Sequence, residues 1–343
     1  MNQNNMQAIF LERMGEPIKA FNFREIPIPV PADDEILIRV QYSGLNFADV
    51  MARRGMYKEA PPLPCVLGYD VVGIVAAKGR AVNQLHKGDQ VVAMTRFGGY
   101  AAYAITKAQA AVKIPSGTAP ADATALATQY CTAYYMAAEM VQLHTGDRVL
   151  IHAGAGGVGQ ALIQYARHKG CEIFSTAGSD KKIELLRSMG VQHPINYNAT
   201  DFGKQIRNQT AGKGVDVIFD AIGGHSVKKG FKLLAAGGRL VCYGAASMNN
   251  QNMFGKIGSA LGFGFYHPVM LMMPSKAIIG VNMLRIADEK PDVLARCLQA
   301  VVTLTESGIF KPTCPNILPA TSIAAAHALL ENRTSTGKVA IAW

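Results

Sequence analysis

The sequence lacks three features that would each point to a particular class of protein: a cysteine pair separated by two residues, a long apolar run and a signal peptide. Its six cysteines are scattered, which favours reduced thiols over a disulfide framework or a zinc cluster. The longest apolar stretch, 260–273, is interrupted by His267 and Pro268 and is too short for a transmembrane helix. The first residues have neither the basic flank nor the apolar core of a signal peptide. We therefore expect a cytoplasmic protein without a transmembrane segment.

Acidic residues are also scarce. The 24 aspartates and glutamates are outnumbered by 34 lysines and arginines, which gives a formal net charge of +10. A basic chain favours anionic partners, and a phosphate-bearing cofactor, nucleic acid or an acidic membrane surface would each qualify. The basic residues are dispersed, however, which favours a solvated surface with one local phosphate site over a nucleic-acid-binding stripe. We expect no nucleic-acid partner.

The length of the chain, 343 residues, suits two domains. Residues 1–126 show short strand patterns separated by glycine and proline, with little helix beyond 47–54. From residue 127 strands alternate with helices, which predicts a doubly wound parallel sheet over 127–284. The fold class is therefore α/β, with a partly open β-barrel first and a C-terminal segment, 285–343, whose last strand is able to rejoin the barrel. The predicted strands are 35–40, 71–76, 90–94, 148–152, 171–175, 215–220, 239–243, 277–282 and 338–342, and the main predicted helices are 159–168, 180–189 and 291–306.

A glycine-rich loop, Gly154-Ala155-Gly156-Gly157-Val158-Gly159, lies between a predicted strand and a predicted helix. In such GxGxxG loops the first glycine permits a tight turn, the second lets the backbone approach a pyrophosphate, and the third lets the helix pack closely on the strand. The helix N-terminus adds unpaired N–H groups and a positive dipole. A purely structural turn is the alternative, but the strand–loop–helix context favours a dinucleotide.

The end of the following strand indicates which dinucleotide is bound. A site for NAD places an acidic residue there to bind the ribose 2′-hydroxyl. Here 175–179 contain no acid, Lys181 and Lys182 follow, and Asp180 is expected to cap the helix. Hydroxyl, backbone N–H and ammonium groups suit a 2′-phosphate, so the pattern favours NADPH, with an ordinary exposed helix face as the alternative for the lysines.

Several further segments share the pattern of one known family. They are 44–50 (GLNFADV), 54–57 (RGMY), 61–64 (PPLP), 68–73 (GYDVVG), 87–91 (KGDQV) and 330–333 (LENR). With the glycine loop they resemble the zinc-free quinone oxidoreductase branch of the medium-chain dehydrogenase/reductase superfamily, and within it the vesicle amine transport protein group. The resemblance implies a GroES-like barrel completed by 285–343, a Rossmann NADP-binding domain, and a homodimer paired through the sheet edge at 277–282.

The resemblance also implies site residues. It places Asn46, Asp49 and Tyr57 near the nicotinamide, and it assigns the 2′-phosphate to Lys182 and Tyr197. The cofactor-binding residues that it implies outside the glycine loop are Thr132, Gly178, Lys182, Tyr197, Gly244, Ser247 and Arg333. Zinc alcohol dehydrogenases of the superfamily carry Cys and His at the positions of Asn46 and Tyr69, so no metal site is expected. Asp70 replaces the glutamate that is more common in the family.

These features predict an NADPH-dependent reductase that transfers hydride to a quinone or an α,β-unsaturated carbonyl. Conjugated acceptors delocalise the incoming charge, so hydrogen-bond donors suffice without a Lewis acid. Asn46 and Tyr57 are the candidate donors, whereas Asp49 is expected to orient the loop or the cofactor amide. Alternatively, Tyr57 packs over the nicotinamide and water supplies the proton.

Two questions stay open at this level. The segment 247–276, rich in glycine, methionine and aromatic residues, suits a helical core, a pocket wall or a dimer surface equally. The net charge of +10 is also compatible with a different class of function: a weakly catalytic or non-catalytic NADPH-sensing protein that associates with membrane lipid or RNA.

Overall fold

The computed structural model describes residues 5–246 and 262–343 as two compact units. The first unit comprises 1–131 and 283–343, and the second comprises 132–282. The division falls at 131/132 rather than at 126/127, where the sequence pattern changes. A helical stretch over 126–140 contains both positions, and the turn residues Thr124 and Ala125 separate it from the helix at 120–123.

The first unit begins with short strands and few helices. The strands are β1 (Asn5–Leu11), β2 (Phe21–Pro27), β3 (Glu35–Leu45), β4 (Cys65–Val66), β5 (Asp70–Lys78), β6 (Gln90–Met94), β7 (Tyr103–Lys107) and β8 (Ala111–Lys113). The helices are α1 (Pro17–Ala20), α2 (Phe47–Arg53) and α3 (Pro120–Ala123), with a 3₁₀ turn at Ala108–Ala110. Helix α2 is the one that the sequence predicts near 47–54.

These strands form two sheets. β1 lies between β2 and β4, and in the larger sheet β3, β5, β6 and β8 follow one another while β7 pairs with the first half of β3. The register of β3 against β5 shifts at Leu37/Ile38 and at Val40/Tyr42, and such bulges bend a strand and increase its twist. Apolar side chains such as Ile38 and Val91 fill the enclosed space. This is the partly open barrel that the alternating strand pattern predicts.

The second unit alternates strands with helices. The strands are β9 (Arg148–Ile151), β10 (Glu172–Ala177), β11 (His193–Asn196), β12 (Val215–Asp220), β13 (Leu234–Cys242) and β14 (Ala277–Gly280). The helical run that enters the unit contains α4 (Cys131–Tyr134) between π-helical turns at Leu126–Tyr130 and Tyr135–Met140, and it is followed by α5 (Gly157–His168), α6 (Asp180–Ser188), α7 (Phe202–Gln209), α8 (His225–Leu233) and α9 (Pro268–Met272).

The strand order of this unit is β11-β10-β9-β12-β13-β14, and every pair is parallel. The order reverses at β9, as it does in doubly wound sheets that bind dinucleotides at the carboxyl ends of their strands. Strand β9 is completely buried over Val149–Ile151, because helices cover both faces of such a sheet. The predicted doubly wound domain is confirmed.

The C-terminal segment returns to the first unit. It forms α10 (Met283–Glu289), α11 (Pro291–Glu306), β15 (Asn316–Pro319), a 3₁₀ turn (Ala320–Ser322), α12 (Ile323–Glu331) and β16 (Val339–Ala342). β16 pairs antiparallel with β3, so that Val339 lies opposite Leu45 and Ala340 lies opposite Gly44. This pairing brings the last residues of the chain beside the segment that begins α2.

The methionine-rich segment at 247–276 is described only from residue 262. There it includes α9 and exposes Phe265, Met272 and Met273, with exposed fractions of 90%, 70% and 78%. These three side chains therefore do not belong to a buried core. No helix within 5–246 or 262–343 is long and apolar enough to cross a membrane.

Candidate functional site

The three motif glycines of the loop 154–159 differ in what surrounds them. A Cβ atom on Gly154 would overlap the Ser175 hydroxyl oxygen, and one on Gly159 would lie 2.5 Å from the carbonyl oxygen of Ala153. A Cβ atom on Gly156 would meet only that same carbonyl, at 3.3 Å. Packing inside the unit thus accounts for the first and third glycines. The open side of Gly156 fits a group from outside the chain, as close approach of a pyrophosphate requires.

The loop also presents the backbone N–H groups that begin a helix. Ala153 adopts a left-handed φ of 55° and accepts the N–H of Gly156 at 3.0 Å, and the Gln160 side chain donates to the Ala155 carbonyl at 2.9 Å. Helix α5 then begins at Gly157 without a side-chain cap, and the first N–H groups of a helix have no intrahelical acceptor. The N–H groups of 157–159, which include Val158, are therefore positioned to bind an anion.

A second glycine position lies at the end of β10. A Cβ atom on Gly178 would overlap the hydroxyl oxygen of Tyr197, so the tyrosine ring packs over the glycine backbone. Asn198 holds the same peptide by donating from Nδ2 to the Gly178 carbonyl at 2.7 Å. Lys182 stands half-buried in the first turn of the next helix, α6. The structure thus brings Gly178 and Tyr197 into contact and places an ammonium group in the helix that follows.

The expectation that Asp180 caps α6 is wrong. Strand β10 continues to Ala177, so the turn comes later than predicted and Ser179 occupies the N-cap position, with no side-chain cap hydrogen bond. Asp180 is the first residue inside the helix, and its carboxylate accepts an N–H of the Asn196 side chain at 2.9 Å. The strand end itself contains no acidic residue.

The remaining predicted cofactor residues of the second unit are separated along the chain. Gly244 follows β13 and lies against Ala221, whose carbonyl oxygen would be 2.6 Å from an added Cβ atom. It therefore shares the carboxyl edge of the sheet with the glycine loop and Gly178. Thr132 lies in α4 and is 8% exposed. Ser247 falls outside the described residues.

In the first unit, Asn46 and Asp49 meet at the start of α2. Asn46 is the N-cap residue, and its backbone N–H donates to Asp49 Oδ2 at 2.8 Å. The other carboxylate oxygen of Asp49 accepts the N–H of Gly68 at 3.2 Å. Burial raises the pKa of Asp49 to about 7, and the nearby charge of Asp70 raises it as well. Asp49 thus joins the helix start to the segment before β5.

A lysine that the sequence does not single out completes this cluster. The Lys338 ammonium donates to Asn46 Oδ1 at 3.1 Å and pairs with Asp70 Oδ2, while Asn46 Nδ2 donates to Asp70 Oδ1 at 2.5 Å. Gly44 leaves room for the lysine, since a Cβ atom there would overlap its Cε. A lysine directly before an apolar strand is ordinarily exposed, so the local sequence offers no signal that Lys338 is buried.

Tyr57 stands beyond the end of α2 and packs against Tyr69. Their rings meet edge to face with centroids 6.2 Å apart. Tyr57 is half-buried, and burial raises its pKa, so its hydroxyl keeps its proton at neutral pH. The Tyr69 hydroxyl is buried, has Tyr57 as a polar neighbour, and makes no hydrogen bond of normal geometry within the described residues.

Arg333 also belongs to the first unit. It follows α12, is exposed, and adopts a left-handed φ of 56°. Asn46, Asp49, Tyr57 and Arg333 therefore lie in one unit, and the other predicted site residues that the structure describes lie in the second.

The cysteines do not form a centre of their own. All six are free, and five of them are buried. Over the described ranges, 5–246 and 262–343, no three His, Cys, Asp or Glu side chains lie close enough together to hold a metal ion.

Two family models match this chain, one in each half. The model described as alcohol dehydrogenase GroES-like domain matches residues 32–116, and the one described as zinc-binding dehydrogenase matches 157–299. The first match covers most of the barrel strands, and the second begins inside the glycine loop.

Curated relatives extend the similarity over nearly the whole chain. The synaptic vesicle membrane protein VAT-1 homolog of Rattus norvegicus is 31% identical over 315 residues, which are 91% of this chain and 77% of that protein. A mycocerosic acid synthase-like polyketide synthase of Mycobacterium tuberculosis is 32% identical over 90% of this chain. This chain spans only 14% of the length of that synthase.

Solved structures of similar chains share the whole architecture. Escherichia coli quinone oxidoreductase complexed with NADPH has 25% identity and a TM-score of 0.85 over 98% of this chain and 100% of its own. The mycobacterial protein Rv1454c complexed with NADPH has 27% identity and a TM-score of 0.87 over the same shares. The CurK enoyl reductase has 26% identity and a TM-score of 0.86, with 99% of both chains covered.

Proposed function

This chain belongs to the medium-chain dehydrogenase/reductase superfamily, in the zinc-free quinone oxidoreductase-like branch with the VAT-1 homologues, and we propose that it is an NADPH-dependent reductase of conjugated acceptors. The proposed acceptor is a quinone or an α,β-unsaturated carbonyl. The observation that carries the proposal is the glycine loop, where a Cβ atom on Gly156 would meet no described group except the Ala153 carbonyl, next to the N–H groups that begin α5.

The residues that would hold NADPH lie along the carboxyl edge of the parallel sheet. The N–H groups of 157–159 suit the pyrophosphate, and Gly178, Tyr197 and Lys182 suit the 2′-phosphate because they combine a backbone N–H, a hydroxyl and an ammonium group. Further contacts are proposed from Thr132, Gly244, Ser247 and Arg333. Two of the similar solved structures are complexes with NADPH, which supports the choice of dinucleotide.

Bound NADPH supplies a hydride, and the protein has to stabilise the negative charge that develops on the acceptor oxygen. Asn46 contributes an amide N–H, and Tyr57 contributes a hydroxyl that burial keeps protonated. The phenolic oxygen of Tyr57 carries a proton, and this proton is transferred to the acceptor after the hydride has been added. A quinone oxidoreductase and an enoyl reductase are among the similar structures, which supports acceptors in which a carbonyl is conjugated.

Metal independence is part of the proposal. The Asn46 side chain, at the position where zinc alcohol dehydrogenases carry a cysteine ligand, is engaged by the buried ammonium of Lys338 and by Asp70. A cation added beside this ammonium would be repelled by it. Hydrogen-bond donors, rather than a Lewis acid, are therefore proposed to polarise the acceptor.

A homodimer paired through β14 is also proposed. This strand is the last in its sheet and pairs with β13 on one side only, among the strands that the structure describes. An unpaired edge exposes backbone N–H and C=O groups to a second strand. Replacement of Ile279 by Lys should weaken the dimer in analytical ultracentrifugation. A monomeric wild-type protein would contradict the proposal.

The function is tested by following NADPH oxidation with a panel of quinones and enones, each repeated with NADH. We expect turnover of conjugated acceptors, with a higher kcat/KM for NADPH than for NADH. Saturated ketones serve as matched controls and should react slowly, because their carbonyl does not delocalise the incoming charge. The absence of turnover across the conjugated panel would refute the reductase.

A second candidate function is association with an anionic membrane surface or RNA, with little catalysis. The net charge of +10 and the exposed side chains of Phe265, Met272 and Met273 favour it, as does the similarity to VAT-1, which is named a synaptic vesicle membrane protein. Sedimentation with phosphatidylserine vesicles and retention on immobilised RNA, both at low and high salt, test it. Salt-sensitive binding together with catalytic silence would replace the reductase by this function.

A further inference from the structure

The ammonium of Lys338 is completely enclosed by the first unit. The exposed fraction is 0% for both Lys338 and its partner Asp70, and 7% for Asn46. Lysine is almost never buried to this extent unless its charge is paired. Here the carboxylate of Asp70 pairs with it, and the amide oxygen of Asn46 accepts a second N–H at 3.1 Å.

The two charged partners determine the orientation of the Asn46 amide. An ammonium group only donates hydrogen bonds and an ionised carboxylate only accepts them. Oδ1 must therefore face Lys338, and Nδ2 must face Asp70, which it reaches at 2.5 Å. The reverse orientation would place two donors, and two acceptors, against each other.

Among the described residues, this orientation leaves the second N–H of the Asn46 amide without an acceptor. The amide nitrogen carries two N–H groups, and one of them is bound to Asp70. We infer that Lys338 is a positioning residue, which holds the Asn46 amide so that its second N–H is available to the acceptor oxygen. The inference rests on the reductase function proposed above and names a residue through which that site is organised.

The backbone is arranged to admit this lysine. Gly44 lies opposite Asp70 in the β3–β5 pair and opposite Ala340 in the β3–β16 pair. Any side chain at Gly44 would overlap the lysine Cε. Asp70 begins β5, Asn46 directly follows β3 and Lys338 directly precedes β16, so the pairing of these three strands brings the cluster together.

An ion pair that only stabilises the barrel and one that positions Asn46 should differ in how their loss affects kcat when Asn46 is also replaced. The test is a double-mutant cycle on kcat with K338M, N46L and K338M/N46L. If the lysine acts through Asn46, the two effects are not additive. We expect kcat to fall about 10-fold in K338M, and about 100-fold both in N46L and in the double variant. The KM for NADPH should stay within about 2-fold, since the dinucleotide contacts of the second unit are untouched.

Two control variants separate positioning from stability. V91A removes buried volume from the same barrel core without touching the cluster, and it should lower the Tm while leaving kcat unchanged. If K338M does not fold, D70N/K338M removes both charges, leaves no charge unpaired, and takes its place in the cycle. The inference would be overturned if the fold-decrease in kcat of the double variant equalled the product of the two single decreases. It would also be overturned if K338M had the kcat of the wild type.

A measurement that needs no acceptor completes the design. Side-chain amide resonances of Asn46, identified by their disappearance in N46L, report hydrogen exchange of the two Nδ2 protons by NMR. We expect exchange at least about 10-fold faster in K338M than in the wild type, because the amide loses its fixed orientation. Equal exchange in both would overturn the inference even if the wild type reduces no acceptor. A wild type that reduces no acceptor would refute the reductase function. The hydrogen-exchange comparison would then still test whether Lys338 holds the Asn46 amide.

Discussion

Gly154 and Ser175 are in direct contact across the first two strands of the parallel sheet, with no space for a side chain on the glycine. The Ser175 hydroxyl is held there because it donates to the Ile151 carbonyl at 3.0 Å. The Gly154 N–H donates to the Thr176 carbonyl at 3.1 Å. The contact makes the first glycine of the loop a packing residue, in contrast with Gly156, where an added Cβ atom would meet only the Ala153 carbonyl among the described residues.

The two glycines should therefore respond differently to alanine. G154A should lower the free energy of unfolding by about 1–3 kcal/mol, because an added methyl group overpacks the contact with Ser175. G156A should cost less stability than G154A, because its φ of −79° suits alanine and an added Cβ atom would meet only the Ala153 carbonyl, at 3.3 Å, among the described residues, and it should weaken NADPH binding about 10-fold. Urea denaturation and fluorescence titration measure the two effects. Equal losses of stability would contradict the distinction.

Lys182 should discriminate between the two dinucleotides. We expect K182A to raise the KM for NADPH about 10-fold, because a charge-assisted contact to the 2′-phosphate is lost, and to leave the KM for NADH nearly unchanged. K213A is a matched control, because Lys213 is exposed and lies just before β12, at the opposite edge of the sheet. Equal changes for NADPH and NADH in K182A would remove Lys182 from the 2′-phosphate site.

Asp49 should make stability depend on pH. Its pKa is raised by burial to about 7 in the folded protein, against about 3.9 in an unfolded chain. The folded state thus binds the proton more tightly, so its contribution is fully present below about pH 4 and is lost as pH rises through about 7. The wild type should lose up to about 4 kcal/mol relative to D49N across this window. Urea denaturation at several pH values measures it.

The test for Asp49 is how the difference in free energy of unfolding between the wild type and D49N changes with pH, not the size of that difference at one pH. D49N should be the less stable protein at low pH, because an amide accepts poorly from both the Asn46 and Gly68 N–H groups. A difference that stays constant with pH would show that Asp49 titrates alike in the folded and unfolded states.

The two neighbouring tyrosines should separate chemistry from packing. Y57F should lower kcat by about 10- to 100-fold, because the hydroxyl is proposed to donate to the acceptor. Y69F should leave kcat unchanged and raise the free energy of unfolding by about 1 kcal/mol, because it removes a buried hydroxyl without a normal hydrogen bond. Steady-state kinetics and thermal denaturation measure both. An unchanged kcat in Y57F would show that solvent supplies the proton.

Activity should not depend on zinc. Dialysis against a strong chelator should leave kcat unchanged, and elemental analysis should find far less than one zinc ion per chain, because the Asn46 side chain is engaged by Lys338 and Asp70. A zinc alcohol dehydrogenase treated in parallel is the positive control. Loss of activity that added Zn²⁺ restores would contradict the proposal.

Patterns between close neighbours in sequence were sufficient to predict nine of the sixteen described strands, the main helices and the cofactor loop, but strands such as β1 and β11 were missed. The strands at 90–94 and 215–220 and the helix at 291–306 have the same bounds in the structure as in the prediction. Side-chain alternation and helical periodicity act over a few residues, so a local reading recovers them. The cap of α6 was predicted wrongly, because the length of β10 depends on its pairing with β9 and β11 rather than on its own residues.

The contacts that organise the site arise only in the tertiary structure. Lys338 reaches Asn46 across 292 positions, because pairing of β16 with β3 closes the barrel. The same holds for Tyr197 over Gly178 and for Ser175 against Gly154, which depend on the order of strands in the parallel sheet. The loop motif predicts different roles for Gly154 and Gly156, but nothing in the local sequence shows that Ser175 is the side chain that fills the space beside Gly154 or marks Lys338 as buried. The sequence by itself determined most of the parallel-sheet elements and the dinucleotide loop, because these depend on local patterns, and long-range strand pairing decided which side chains stand beside them.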